Sequence, residues 1–135
     1  MYPDSGATHH VMKDPTVYST KQPYQGIETV KMGNGSGLFI ANTGSAIFCS
    51  PLTDKPLLLR NLLHVLLIIK NLLSVSQFAR ENHVYFQFHA NHCCVVDQAT
   101  NKVLLRGILK DGLYTFPKGT KTRENIYFEG ELWWF

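Results

Sequence analysis

The 135-residue sequence has few cysteines, no long apolar run and no block of one charge. Its three cysteines are an odd number and two of them, Cys93 and Cys94, are adjacent, which excludes a disulfide framework and predicts reduced thiols. The longest apolar run, residues 62–69, is interrupted by His64 and is too short to cross a bilayer. The first residues also lack the charged and apolar regions of a secretory signal. We therefore expect a cytoplasmic protein with no membrane partner.

The formal net charge of +3 is small and is spread along the chain. Nucleic-acid-binding proteins usually concentrate Lys and Arg in one segment or on one face, and the sequence contains no such block. A nucleic-acid partner is therefore not expected. The length is typical of a single domain with one core.

Short extended segments separated by turn residues make up most of the chain. Residues 27–32 and 38–40 are of β type, and the glycine-rich stretch between them predicts a hairpin with a flexible tip. Residues 71–82 are the one helix-like segment, with Asn71 or Ser74 as its N-cap. This order predicts a mainly β fold with one short helix.

The motif with the most chemical content is Asp4-Ser5-Gly6-Ala7-Thr8. An aspartate followed by a hydroxyl residue and glycine is what a water-activating carboxylate of an aspartic protease requires. Ser5 can hydrogen-bond beside the acid, and Gly6 permits a tight turn that brings amide donors close to it. Ala7 and Thr8 leave room for a substrate. The same residue types are also ordinary loop chemistry, so the motif alone leaves a solvated turn open.

Four segments in fixed order resemble one family, the retropepsin-like protease region of copia-type LTR retrotransposon Pol polyproteins, especially those of plants. The segments are residues 2–10, residues 30–35, residues 61–65 with 71–78, and residues 107–116, the last of which resembles the edge of the gag-pre-integrase segment. The resemblance implies a small closed retropepsin-like β-barrel with a flap hairpin over residues 1–89. A β-hairpin extension over residues 90–116 and a polar and aromatic tail over residues 117–135 would follow.

The resemblance also implies a function and a set of site residues. The function is an aspartic endopeptidase that cleaves a Gag–Pol-like polyprotein as a homodimer, with Asp4, Ser5 and Gly6 as catalytic residues. Ala7 and Thr8 would contact the peptide substrate. The flap would close over the substrate and exclude water, and its residues would be Gly33, Asn34, Gly35 and Gly37. Leu72-Leu73-Ser74 resembles the apolar pair and small residue that pack beneath the catalytic loop. No cofactor is expected.

The predicted chemistry needs two carboxylates that share one proton. None of the other aspartates, Asp14, Asp54, Asp97 and Asp111, is followed by a hydroxyl residue and glycine. We therefore expect the second carboxylate to be the Asp4 of a second chain, related to the first by a twofold axis.

Two departures from the family pattern bear on activity. The usual tryptophan and upstream strand ahead of Tyr2 are missing, and apolar residues 66–69 stand where the family usually has a proline and lysines. These departures indicate a truncated or domesticated copy, for which we expect a weak homodimer with weak or absent peptidase activity. The alternative is a non-catalytic interaction module that keeps the protease fold and engages a host protein.

Histidines and cysteines also occur together near residue 90. A zinc site could be formed from His89, His92, Cys93 and Cys94, with His83 nearby. Structural zinc sites, however, use separated pairs of ligands, and neighbouring side chains on a strand point to opposite faces. The sequence therefore predicts a hairpin with one buried thiol and no metal site.

Overall fold

The computed structural model describes residues 2–13, 20–24, 26, 29–31, 37–68, 70–116 and 132–133. Its elements are β1 (Tyr2–Asp4), β2 (Val11–Met12), β3 (Thr20–Pro23), β4 (Thr29–Lys31), β5 (Gly37–Phe39), β6 (Asn42–Phe48), β7 (Leu57–His64), β8 (Leu72–Ser74), α1 (Val75–Asn82), β9 (Val84–Phe88), β10 (His92–Asp97), β11 (Val103–Lys110), β12 (Leu113–Phe116) and β13 (Leu132–Trp133). The predicted mainly β fold with one short helix is confirmed over these residues.

The first sheet carries the Asp4 segment. It has six strands in the order β1-β8-β2-β7-β6-β3 and curls into a half-barrel. β8 pairs in parallel with β1, where Asp4 lies opposite Ser74, and antiparallel with β2, where Val11 lies opposite Leu72. β8 is thereby inserted between the two strands that flank the loop after Asp4.

The second sheet has five strands in the order β13-β12-β11-β10-β9. One core cluster joins it to the first sheet, since Phe48 and Leu57 share the cluster with Val95 and Phe116. β9 belongs to the second sheet through its antiparallel pairing with β10. The division of the chain at residue 89 stays a prediction, and most of the predicted tail lies outside the described residues.

Helix α1 begins later than the sequence predicts. Leu72–Ser74 extend as β8 because their backbone is paired on both sides, so the prediction of a helix from residue 71 was wrong over its first residues. Of the two candidate N-caps, Ser74 is the cap, and its side chain accepts a hydrogen bond from Gln77 N. The helix ends at Asn82, and its C-cap His83 has a left-handed φ of 53°. No helix among the described residues has the length and apolar character needed to span a membrane.

β4 and β5 pair antiparallel as the two strands of a separate hairpin, with Val30 opposite Leu38. Both of these side chains pack against a small second cluster that includes Val11 and Leu63. The hairpin is therefore held against the part of the first sheet that lies beside the Asp4 loop. The tip of the predicted flap, with Gly33, Asn34 and Gly35, lies outside the described residues.

Candidate active site

Asp4 ends β1 and starts a tight turn. Its Oδ1 accepts a hydrogen bond from Gly6 N at 2.8 Å, and its carbonyl oxygen accepts one from Ala7 N at 3.2 Å. Asp4 is half-buried, whereas Ser5 and Gly6 are exposed at the turn. The turn thus places an amide donor against the carboxylate and restricts its rotation.

Ser74 connects this loop to β8 and α1 through hydrogen bonds. Its Oγ donates to Ala7 O at 2.7 Å and accepts from Gln77 N at 3.3 Å, while its backbone N donates to His10 Nδ1 at 3.0 Å. One fully buried serine therefore caps the helix and holds the loop at two points. The sequence marks Leu72-Leu73-Ser74 as a packing motif, and the structure adds these hydrogen bonds.

His10 lies fully buried behind the loop. Because its Nδ1 accepts from Ser74 N, the ring proton is on Nε2, which has no hydrogen-bond partner among the described residues and lies 3.9 Å from Glu81 Oε2. Burial, with a smaller contribution from the nearby charge of His9, lowers the pKa of His10 to about 3. His10 is therefore neutral at pH 7 and acts as an acceptor that supports the loop.

A cavity of about 700 Å³ opens beside the Asp4 loop. Its lining combines that loop with strand β4, through Asp4, Gly6, Ala7 and Thr8 from the loop and Thr29, Val30 and Lys31 from β4. The volume is within the range of pockets that hold small ligands or a few residues of a peptide. Four of the predicted site residues and one strand of the predicted flap hairpin therefore share one cavity.

Gly37 stands at the start of β5 and is not among the residues that line the cavity. A Cβ at this position would lie 2.7 Å from Thr29 Oγ1 on the facing strand, so the absence of a side chain lets the two strands approach. Its described role is therefore in the hairpin, beside residues that do line the cavity.

Three other residues that line the cavity, Tyr24, Thr43 and Asn61, are not among the predicted site residues, although Asn61 begins one of the four segments that carry the family resemblance. They come from distant parts of the chain, and Thr43 and Asn61 are brought together by the pairing of β6 with β7. Tyr24 follows β3, and its backbone N donates to Ala41 O at 3.2 Å. Only the strand pairings bring these side chains to the same cavity.

Replacing Ser74→Ala should destabilise the fold by about 2–3 kcal/mol, since it removes a helix cap and leaves the Ala7 carbonyl without its hydroxyl donor. The free energy of unfolding from urea denaturation measures this loss. The matched control is Ser76→Ala, because Ser76 is exposed and its Oγ is 3.5 Å from Ser74 Oγ. The control should change stability by less than about 0.5 kcal/mol, and equal losses in both variants would contradict the bracing role.

Comparison with known proteins identifies the class of this domain. Residues 1–83 match the family described as "Pol polyprotein, beta-barrel domain". Because the match covers more than half of the chain, the chain belongs to this family, and it is a domain derived from a retrotransposon Pol polyprotein.

Two relatives from Arabidopsis thaliana agree with this assignment. They are the retrovirus-related Pol polyproteins from transposons RE1 and RE2, each 40% identical to this chain over 114 residues. Each alignment covers 84% of this chain and 8% of the relative, so the chain spans a small part of the polyproteins that it matches. No solved structure is significantly similar to the chain. The predicted relationship to copia-type Pol polyproteins is confirmed.

Proposed function

We propose that this domain is a retropepsin-like aspartic endopeptidase unit that cleaves a Gag–Pol-like polyprotein as a symmetric homodimer. The observation that supports this proposal most is the single cavity shared by the Asp4 loop and strand β4 of the hairpin. An extended peptide held between these two elements would present its backbone to the Asp4 carboxylate. Membership in a Pol polyprotein family supports a polyprotein as the substrate.

In the proposed dimer, the two Asp4 carboxyl groups meet at the twofold axis and share one proton. The ionised carboxylate takes a proton from water, whose oxygen attacks the carbonyl carbon of the scissile bond, while the protonated carboxyl donates its proton to the carbonyl oxygen. Collapse of the resulting tetrahedral diol returns a proton to the leaving amine nitrogen as the C–N bond breaks. The Gly6 amide, which donates to Asp4 Oδ1, keeps the carboxylate oriented during these transfers.

The other site residues have supporting roles in this proposal. Ser5, next to the acid in the turn, braces the pair of loops at the dimer axis. Ala7 and Thr8 contact the peptide on the loop side of the cavity. The hairpin closes over the peptide as a flap and excludes water, with Gly33, Asn34 and Gly35 as its predicted tip and Gly37 at the start of β5.

Specific activity is expected to rise with protein concentration, because one chain supplies only one suitable carboxyl and the active species is the dimer. Cleavage of peptides with apolar residues beside the scissile bond, measured at mildly acidic pH, should be compared with the dimer fraction from sedimentation at the same concentrations. A statine-type inhibitor should block cleavage and increase the dimer fraction. Cleavage at a constant rate per chain, under conditions where sedimentation shows only monomer, would contradict the dimer mechanism.

A second candidate function is supported by exposed apolar residues after β7. Leu66 and Leu67 are 59% and 76% exposed, which is typical of a surface that binds another protein. In this alternative the domain keeps the protease fold but acts as a non-catalytic module that engages a host protein. A stable monomer that neither cleaves peptides nor binds the inhibitor would favour this alternative.

A further inference from the structure

Two histidines and a cysteine meet at the turn between β9 and β10. One potential metal-binding atom from each of His89, His92 and Cys94 lies within 4.8 Å of the other two. Cys94 is buried, His92 is half-buried and His89 is exposed, so the cluster has one open side. None of the three lines the cavity beside Asp4. The cluster is therefore separate from the candidate active site.

Strand geometry explains why these three residues meet. Side chains alternate along β10, so Cys93 enters the main core cluster while His92 and Cys94 share the other face. The sequence argues against zinc because Cys93 and Cys94 point in opposite directions, but the same alternation brings Cys94 and His92 together. The prediction of one buried thiol was wrong, because Cys93 and Cys94 are both buried, and the prediction of no metal site did not consider the pair formed by His92 and Cys94. His89 joins them through the turn, where its ring stacks on that of His92 with centroids 4.3 Å apart.

The turn is held in place by hydrogen bonds to its own residues and to the second sheet. His89 N donates to His92 O at 2.8 Å, and Leu109 N donates to Asn91 O at 3.0 Å. The Tyr114 hydroxyl donates to His89 O. These bonds hold the backbone that carries both histidines, so a metal would be bound by rotation of side chains out of the present stacked arrangement of the two rings.

A neighbouring amide also favours one form of the His92 ring. His92 Nδ1 and Asn91 Oδ1 are 2.8 Å apart, and because the amide oxygen can only accept, the ring donates from Nδ1. His92 Nε2 then carries the free lone pair. Metal-binding histidines characteristically donate their other ring N–H to an oxygen in this way, which fixes the tautomer of the ring.

We propose that His89, His92 and Cys94 bind one zinc-class divalent transition-metal ion per chain, with the fourth position open to water. Imidazole nitrogen and thiolate sulfur are the donors that Zn²⁺ prefers, and tetrahedral bonds of about 2.0–2.3 Å place ligand atoms about 3.5 Å apart. Closing the cluster from 4.8 Å requires movements of about 1 Å, within reach of the two histidine side chains. The bound metal would link His89 in the β9–β10 turn to His92 and Cys94 on strand β10.

One cationic side chain, Arg106, lies opposite Cys94 on β11. Its positive charge opposes the binding of a metal cation at this position. Because Arg106 is exposed, its guanidinium can turn into solvent when a metal binds. The residue therefore does not block the site.

Cobalt(II) binding to the full chain, prepared reduced, metal-free and without a polyhistidine tag, tests the proposal. One equivalent of Co²⁺ should give the visible bands of a tetrahedral site and a thiolate-to-cobalt charge-transfer band in the near ultraviolet. One equivalent of Zn²⁺ should abolish both signals. Cys94→Ser should remove the charge-transfer band, and His89→Ala or His92→Ala should weaken zinc binding by about tenfold or more. Zinc should also raise the melting temperature of the wild type but not of Cys94→Ser.

Matched controls separate this site from other thiols and imidazoles of the chain. Cys49→Ser removes a half-buried thiol and His83→Asn removes an exposed imidazole, and both variants should bind cobalt like the wild type. The proposal would be overturned by absence of stoichiometric binding, or by a charge-transfer band that survives Cys94→Ser. Asp4→Asn should bind metal normally, so this test is independent of the proposed peptidase activity.

Discussion

Asp4→Asn should reduce peptide cleavage by on the order of 10³-fold or more, because it removes both proton-transferring carboxyls of the proposed dimer. The fold should be unaffected, since the asparagine Oδ1 can still accept the hydrogen bond that Asp4 Oδ1 accepts from Gly6 N. Cleavage rates and the free energy of unfolding, measured on the same preparations, check both parts of this expectation. The change in stability should be within about 0.5 kcal/mol.

Asp111→Asn is the matched control. Asp111 is an exposed aspartate in the β11–β12 turn with a φ of 52°, a conformation that asparagine tolerates well. The same chemical change at this position should leave cleavage unaltered. Peptidase activity that survives Asp4→Asn, or that is lost equally in Asp111→Asn, would refute the role of Asp4.

Mixing the two kinds of subunit tests the symmetry of the site. When Asp4→Asn chains are added in ninefold excess to a fixed amount of wild type, at a concentration where sedimentation shows mainly dimer, random pairing leaves about one tenth of the wild-type chains in fully wild-type dimers. Cleavage should fall to about that fraction once exchange is complete. Activity that is independent of added variant would show that one chain suffices, which would contradict the shared pair of carboxyls.

The parts of this fold that the sequence predicts are those set by local patterns. Alternating apolar residues and glycine-rich turns identify the strands. The order Asp4-Ser5-Gly6 identifies the candidate catalytic loop. The insertion of β8 beside β1 could not be predicted in this way. Residues 72–74 look like the start of a helix, and only their pairing with a strand about 70 residues away makes them extended.

Side-chain environments depend even more on long-range packing. His9 and His10 are indistinguishable by residue type, yet His9 is exposed beside the cavity and His10 is fully buried against Ser74. Likewise, Cys93 and Cys94 are adjacent, and only one of them faces the two histidines of the β9–β10 turn. Their different environments follow from the strand register, which a pattern of residue types does not specify.

Lowering the pH should destabilise the domain at pH values well above those at which its carboxylates titrate, because His10 is buried in its neutral form. At pH 7 His10 is neutral in both the folded and the unfolded chain. Below pH 6.5, the ordinary pKa of histidine, His10 becomes protonated in the unfolded chain. In the folded chain its pKa is about 3, so it stays neutral until the pH is near that value. Stability should therefore fall with decreasing pH throughout this window, by on the order of 5 kcal/mol in total.

Only the upper part of this window lies above the range in which Asp97 titrates. Hydrogen bonds from Thr100, and next from Lys55, lower the pKa of Asp97 below its ordinary 3.8, so the stability that the Asp97 carboxylate contributes is lost only when the pH falls below about that value. Because other histidines are present, the contribution of His10 is the difference between the unfolding free energies of the wild type and of His10→Asn, measured from pH 7 to 4.5. The ring protons of His10 should also keep their NMR shifts over this range.

His10→Asn should remove this pH dependence, since an asparagine Oδ1 can accept from Ser74 N without titrating. The variant should lose about 1–2 kcal/mol at pH 7, because it gives up the edge contact of the ring with Phe78. His83→Asn, at an exposed residue with left-handed φ, should keep the wild-type pH dependence. An unchanged pH slope in His10→Asn would contradict the buried neutral histidine.

A flatter pH dependence in His10→Asn should extend peptidase activity to lower pH. A carboxyl pair that shares one proton works best in acid, whereas the support of its loop depends on a histidine that acid disrupts. For the proposed dimer, we therefore expect His10, acting through Ser74, to set the acid limit of activity and the proposed carboxyl pair to set its alkaline limit. Wild type and His10→Asn should lose activity at the same alkaline pH but at different acid pH. If the catalytic carboxyls set both limits, the two proteins would lose activity at the same acid pH as well.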